Sequence, residues 1–281
     1  MRLLTAGPSA LLLTATLALA APAVASTPQT SPQTSPQTSP QTSSTAVRAA
    51  GPAITIAARS TVVPRGKKVV ITGAVASKKV TRVALQQKRK GTAWKTQATV
   101  AVKADGSYRL KDRTTTAVIR KYRVVSAAGP RKRSAKVSVG VYEWKDLTKL
   151  EHRAFSGWSV EKSVEINATS YGPALRGWVS PYAAPLADYN VNRNCVSLRA
   201  RFGLSDKSDL AGRATITVLG DDVPAYSKSF GITQSEYVSV PLASPFRVGL
   251  TFTVENPGGL PTAPGAVPVV ADPELFCTSA S

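Results

Sequence analysis

Reactive side chains are scarce in this 281-residue chain, which has one His and two Cys. A structural zinc site takes about four Cys or His ligands, so a Cys/His metal cluster is excluded. A Ser-His-Asp or Cys-His hydrolase would need His152 as its base, and His152 beside Glu151 reads as a surface residue. No dinucleotide-binding GxGxxG and no phosphate-cradling P-loop spacing occurs, so no cofactor is expected. A glycosidase needs two carboxylates held across a sugar. The acids here fall mostly in turns and at strand ends. Asp206, Asp209, Asp221 and Asp222 sit in two such turns, and turn formation accounts for them without a calcium ion. The expectation is a non-enzymatic chain with no metal site and no cofactor.

Binding chemistry is better represented, in two kinds. Aromatic rings that can stack on the C–H faces of pyranoses, with amides that fix hydroxyls, cluster at Trp158, Tyr171, Trp178, Tyr182, Tyr189 and Asn192. Trp158 and Trp178 are either platforms or core residues. Tyr182 and Tyr189, in a Pro-bracketed stretch, are expected on a sandwich rim and are the first candidates for a glycan. The second kind is positive charge. The chain holds 36 Lys+Arg against 16 Asp+Glu, a formal +20. Residues 48–141 contain 23 of those bases and only Asp105 and Asp112 as acids, so that segment alone carries +21. Its runs are Lys67-Lys68, Lys78-Lys79, Lys88-Arg89-Lys90 and Arg131-Lys132-Arg133. Such charge either keeps sheet edges soluble or attracts a polyanion. No recognition helix or aromatic-interleaved platform accompanies it, so specific nucleic-acid recognition is not expected.

Short strands must position these residues. Between 51 and 141, alternating runs at 54–56, 69–71, 80–86, 98–102, 108–110, 119–126 and 135–141 are separated by turn residues. Asp105-Gly106 is the strongest hairpin signal among them. That spacing is expected for an immunoglobulin-like sandwich, with Trp94 and Tyr122 inside. From 142 to 281 further strands are expected at 164–167, 195–203, 213–219, 223–230, 237–242, 246–254 and 274–277, and no helix of ordinary length. Strand number and turn spacing imply a jelly-roll sandwich. The fold class expected is all-β, one sandwich after another.

Ahead of both lies an export signal. Arg2, the Leu/Ala-rich stretch 3–20 and Ala23-Val24-Ala25 read as a signal peptide over 1–25, too short and interrupted for a membrane span. No Cys stands directly after the cleavage site and no apolar tail closes the chain, so a secreted product is expected, either free or associated with the cell wall. Residues 26–50 are Pro/Gln/Thr/Ser-rich and are expected to be an extended spacer. In an exported chain the two cysteines, Cys195 and Cys277, are expected to form a disulfide.

Two resemblances add to this reading. VVPRGKKVVITGAV, TAWKTQATVAVKADGSYRL and KYRVVSA resemble the bacterial Ig-like repeats of secreted and surface proteins. KDLTKLEHRAFSGW, SVEINATSYGPALRGW, VSLRARFGLSDKSD, ATITVLGDDVPAYSKSF and VVADPELFC follow in an order similar to the NPCBM domain, a carbohydrate-binding module associated with glycoside hydrolases. The second resemblance implies a galactose-binding-type sandwich without catalytic residues. Together they imply a secreted binding protein whose partner is a polysaccharide or cell-wall glycan, with the basic segment aiding attachment to an anionic wall polymer. The alternative is a surface structural or interaction protein that has no sugar site and acts through the basic segment.

Overall fold

Apolar residues at every second position give each run one face to bury, and the strands pair so that these faces meet. The computed structural model describes residues 53–179, 184–255 and 265–279. The protein is all-β, and no α-helix occurs among the described residues.

Eight strands come first: β1 (Ala57–Ala58), β2 (Val62–Pro64), β3 (Lys68–Ala74), β4 (Arg82–Lys88), β5 (Lys95–Ala101), β6 (Ser107–Arg113), β7 (Ile119–Ala128) and β8 (Val137–Asp146). Strands β1, β3 and β6 form one antiparallel sheet. The order β5-β4-β7-β8 forms the opposite sheet, and β2 joins β8 in parallel. Val69, Ile71, Tyr108 and Leu110 from the first sheet meet Val83, Leu85, Tyr122 and Val124 from the second. Tyr122 is fully buried, as expected. Trp94 is not: it lies half-buried outside the sheet with the Arg123 guanidinium over its ring, 4.2 Å from the centroid. The turn at Asp105-Gly106 forms, with Gly106 at φ +82° and the Asp105 carboxylate accepting the Ser107 N–H at 2.8 Å. The flanking strands do not pair as a hairpin, however. β5 pairs with β4 and β6 with β3, so the chain crosses from one sheet to the other there. Turn chemistry sets the reversal, whereas the apolar faces choose the partners.

Strand β8 continues without a break past residue 141. Its first half pairs with β7 and its second half, Glu143 to Asp146, with the last strand. After a 3-10 turn at Leu147–Lys149 come β9 (Ala154–Ser156), β10 (Trp158–Glu161), β11 (Val164–Ile166), β12 (Thr169–Tyr171), β13 (Ala174–Gly177) and β14 (Leu186–Asn190). Then follow β15 (Cys195–Leu204), β16 (Arg213–Gly220), β17 (Val223–Gly231), β18 (Ser235–Pro241), β19 (Arg247–Val254) and β20 (Pro268–Cys277). One layer runs β17-β16-β19-β14-β9. The facing layer has β20 at its centre, flanked by β15 and β18 on one side and by β13 and β10 on the other. Between them lies a core that includes Leu198, Phe202, Ile216, Val218, Phe230, Leu250 and Leu275. Gly177 is tied to this packing, because a Cβ there would lie 2.7 Å from the Phe252 ring. The β11–β12 hairpin folds over the outer side of the second layer, sealing Val164, Ile166, Ala174, Val269 and Ala271 in a small separate cluster. Cys195 and Cys277 stand opposite each other on β15 and β20 and form the expected disulfide.

Candidate functional site: a basic sheet face and an aromatic rim

The outer face of the β5-β4-β7-β8 sheet gathers the positive charge. In β7, Tyr122 and Val124 point into the core, so period two sends Lys121, Arg123 and Val125 outward. Lys88 of β4 pairs directly with Lys121, and Gln86 with Arg123. The segment before β8 lies along β7 through a Val125–Arg133 bridge and a Ser126 N–H to Lys132 O bond of 3.0 Å. This brings Arg131, Lys132 and Arg133 beside Arg123, around a cavity of about 600 Å³ whose walls also include Gln86 and Ser126. Arg123 is oriented from two sides, by the Trp94 ring beneath it and by the Gln86 Oε1 that accepts its Nε–H at 2.9 Å. Among the described residues none of these cations takes part in an ion pair. Like charges placed opposite each other across a ladder oppose pairing, so Lys88 facing Lys121 weakens the sheet unless an anion neutralises them. Arg89 and Lys90 extend the face as an exposed turn. Lys67 and Lys68 lie apart, at the start of β3 in the other sheet, where Lys68 pairs with Arg113. Lys78 and Lys79 are exposed in the turn before β4. Lys121 and Arg123 were not singled out in the sequence because they are not consecutive. Their signal was the alternation Lys121-Tyr122-Arg123.

The aromatic candidates separate. Trp158 is 4% exposed, packed edge-on against Phe252 at 5.0 Å, and its Nε1–H donates to Leu250 O at 3.2 Å. It is a core residue. Tyr189 is 2% exposed and lies in the same core, which overturns its expected place on a rim. In β14 the inward positions are Ala187 and Tyr189, and Asp188 faces outward under Arg153 and Arg247. Burial pushes the Tyr189 phenol pKa up. Neither ring can meet a sugar. Tyr171 is half-buried, with the Arg201 guanidinium 4.6 Å from its centroid. Asn192 is exposed in a left-handed turn at φ 50° beyond the far end of β14. Trp178 is 46% exposed beside Val179 at 64%, on the segment after β13, and its backbone N–H donates to Gly157 O at 2.9 Å. Tyr182 lies outside the described residues. Trp178 is therefore the described aromatic candidate with a ring open to solvent.

The four turn aspartates have structural partners. Asp206 accepts the N–H groups of Asn167 and Ala168 at 2.6 and 2.7 Å, and Asp209 accepts that of Gly265 at 2.6 Å. Asp221 accepts the Arg247 N–H at 2.9 Å, a bond that holds its carboxyl below the ordinary range. Asp222 pairs with the Arg247 guanidinium at 2.6 Å. No group of three or more His, Cys, Asp and Glu side chains placed to hold a metal occurs among the described residues. His152 is exposed, with its ring 4.6 Å from that of Phe155.

Neither a family model nor a curated protein matches the chain. Among solved structures it is similar to CBM51-2 in complex with GlcNAc and INT domains from Clostridium perfringens ZmpB, at 12% identity and TM-score 0.37 over 80% of this chain and 48% of that one. It is also similar to carbohydrate-binding module CBM36 in complex with calcium and xylotriose, at 12% identity and TM-score 0.26 over 48% of this chain and 98% of that one. A membrane-anchored protein from Corynebacterium diphtheriae matches at 10% identity and TM-score 0.28 over 82% of this chain and 52% of that one. The chain spans about half the length of the first and the third.

Proposed function

We propose that this chain is an exported, non-catalytic binding protein of the cell envelope, with residues 1–25 as its leader, 26–50 as a spacer, and 51–141 and 142–281 as two binding sandwiches. The basic sandwich attaches to an anionic polymer of the wall. The observation that carries this reading is the face of Lys88, Lys121, Arg123, Arg131, Lys132 and Arg133, where cations are set beside one another with no acid among them. A polymer with regularly spaced anions relieves that repulsion and releases counterions as it binds. The test is retention of the full chain on immobilised polyphosphate and on alginate, which present phosphate and carboxylate polymers. Retention is expected on at least one of them, and affinity is expected to fall several-fold or more between about 0.05 and 0.2 M salt. The combined change Arg123→Ala, Arg131→Ala, Arg133→Ala should abolish most of it with little change in melting. Binding that ignores salt or survives the triple change overturns the reading.

A glycan is the second ligand, taken by the C-terminal sandwich. The NPCBM-like order of motifs supports it, and so does Trp178, whose ring is open to stack on a sugar face. Trp178→Ala should lower affinity for wall polysaccharide by about 1–3 kcal/mol if that ring is the anchor, while melting changes by no more than about 0.5 kcal/mol of stability, as for other exposed sites.

A further inference from the structure

Beneath the β11–β12 hairpin lies a cavity of about 340 Å³ whose walls are mostly polar: Glu161, Ser163 and Glu165 on one side, Arg176 at the strand β13, and Ser205 and Lys207 on the other. Its volume is at the lower end of the ~300–1,000 Å³ of ligand sites, with room for a single ring. Arg176 pairs across the ladder with Val269, so it shares a face with the apolar cluster that the hairpin seals. Its Nε is buried and has no hydrogen-bond partner. A buried donor left without an acceptor is costly, and the side chain as a whole is half-buried and takes part in no ion pair among the described residues.

The walls are fixed before any ligand arrives. Asp206 clamps the hairpin tip through Asn167 and Ala168, and the Asp206 N–H donates to Glu165 O at 3.0 Å. The Ser205 N–H donates to Val267 O at 2.9 Å, which fastens the second wall to the chain entering β20. A preformed cleft of this kind spends little of its binding energy on ordering itself.

The lining sets two carboxylates against one guanidinium and one ammonium, and their charges cancel. A ligand of strong net charge meets both signs. Hydroxyl groups, which donate to carboxylates and accept from cations, suit all four. We propose that this cavity holds one hydroxyl-rich ring, a pyranose unit of a glycan, by hydrogen bonds alone, its hydroxyls donating to the Glu161 and Glu165 carboxylates and accepting from the Arg176 and Lys207 side chains. The proposal deepens the glycan reading above and rests on it, but places the sugar away from Trp178.

The test is amide chemical-shift mapping of the full chain titrated with the methyl glycosides of glucose, galactose and N-acetylglucosamine. Saturable shifts are expected at Ser163, Glu165, Arg176 and Lys207 with at least one of them. Arg176→Met should abolish the response. Because that change sits on a packed strand, Lys207→Met and Glu161→Gln at the cavity mouth provide the second measure, and each should weaken binding about tenfold without shifting the melting temperature. Trp178→Ala should leave these shifts intact. Shifts confined to the Trp178 region, or a response indifferent to the Glu161, Arg176 and Lys207 changes, overturn the cavity and leave the glycan reading standing. No response to any of the three glycosides overturns the cavity proposal, and wall-polysaccharide retention that is nonetheless lost in Trp178→Ala then shows the glycan reading to be independent of it.

Discussion

The strands before and after β8 are tied together by different means. Strands β1 to β7 contain no cysteine, and a buried polar group bridges their two sheets. Asp112 of β6 accepts the Tyr122 hydroxyl at 2.6 Å and faces Arg120 Nη1 at 3.3 Å, both from β7. All three side chains are buried, and burial beside the Asp112 carboxylate pushes the Tyr122 phenol pKa up. The C-terminal strands have instead a covalent tie, Cys195–Cys277, between neighbours in one sheet. The disulfide acts chiefly on the unfolded chain, which it shortens. The buried ion pair acts on the folded state, where its net gain is small but the loss of one partner strands a charge. The same architecture is therefore held by an entropic device on one side of β8 and by a geometric one on the other.

Reducing the disulfide should produce the largest effect. The sequence separation is 82 residues, for which the loop-entropy account gives about 4–5 kcal/mol. Cys195→Ser with Cys277→Ser should lower the melting temperature and the hydrogen-exchange protection of β15 to β20. Protection of β3 to β7 should persist. An equal loss in both sets would show that β8 couples them into one cooperative unit, and the contrast would fail.

Breaking the polar bridge comes next. Asp112→Ala leaves Arg120 buried without its carboxylate and should cost about 3–5 kcal/mol, whereas Tyr122→Phe removes one hydrogen bond and should cost about 1 kcal/mol. Chemical denaturation followed by exchange mapping checks both, with the loss expected in β3 to β7. A neutral Asp112→Ala would mean that the apolar core alone aligns the two sheets.

Acid should have the smallest effect, on the C-terminal strands. Hydrogen bonds from Lys228 and Tyr226 hold Glu236 below its ordinary value, and those from Ser229 and Thr215 do the same for Glu255. Partial burial raises Asp146, but hydrogen bonds from Thr148 and Lys149 outweigh it and leave that carboxyl low as well. A carboxylate whose folded pKa is depressed contributes stability that is present above its unfolded pKa and lost as pH falls through the folded one. Melting should thus be flat down to about pH 4.5 and then decline gently, with protection lost first around β16 to β18. In the segment before β8 the exposed Asp105 is lowered by the Ser107 N–H.

How much of this was legible in the sequence differs residue by residue. Alternation located most of the long strands, and the lone cysteine pair, in a chain whose first residues read as an export signal, announced its bond. The strands β9, β10, β12 and β13, three or four residues each, carry too few alternations to stand out from loop. Tyr189 looked like a rim residue from its proline-bracketed neighbourhood, but parity within β14 turned it inward, because a strand position lies on one face or the other and a shift of one residue reverses every side chain. Trp94 is large and apolar enough for a core, yet it serves as the underside of Arg123.

Composition and local pattern alone determined the all-β class, the concentration of positive charge in one segment and the scarcity of catalytic groups, since these depend only on residue type and short-range periodicity. Tertiary structure decided which strands pair across Asp105-Gly106, which aromatic rings remain open, and that Lys88, Lys121, Arg123 and Arg131–133 share a face while Arg176 lines a cavity with Glu161, Glu165 and Lys207. Those outcomes join residues tens of positions apart, and they are set by the burial of whole sheet faces, a long-range energy that no short window of sequence contains.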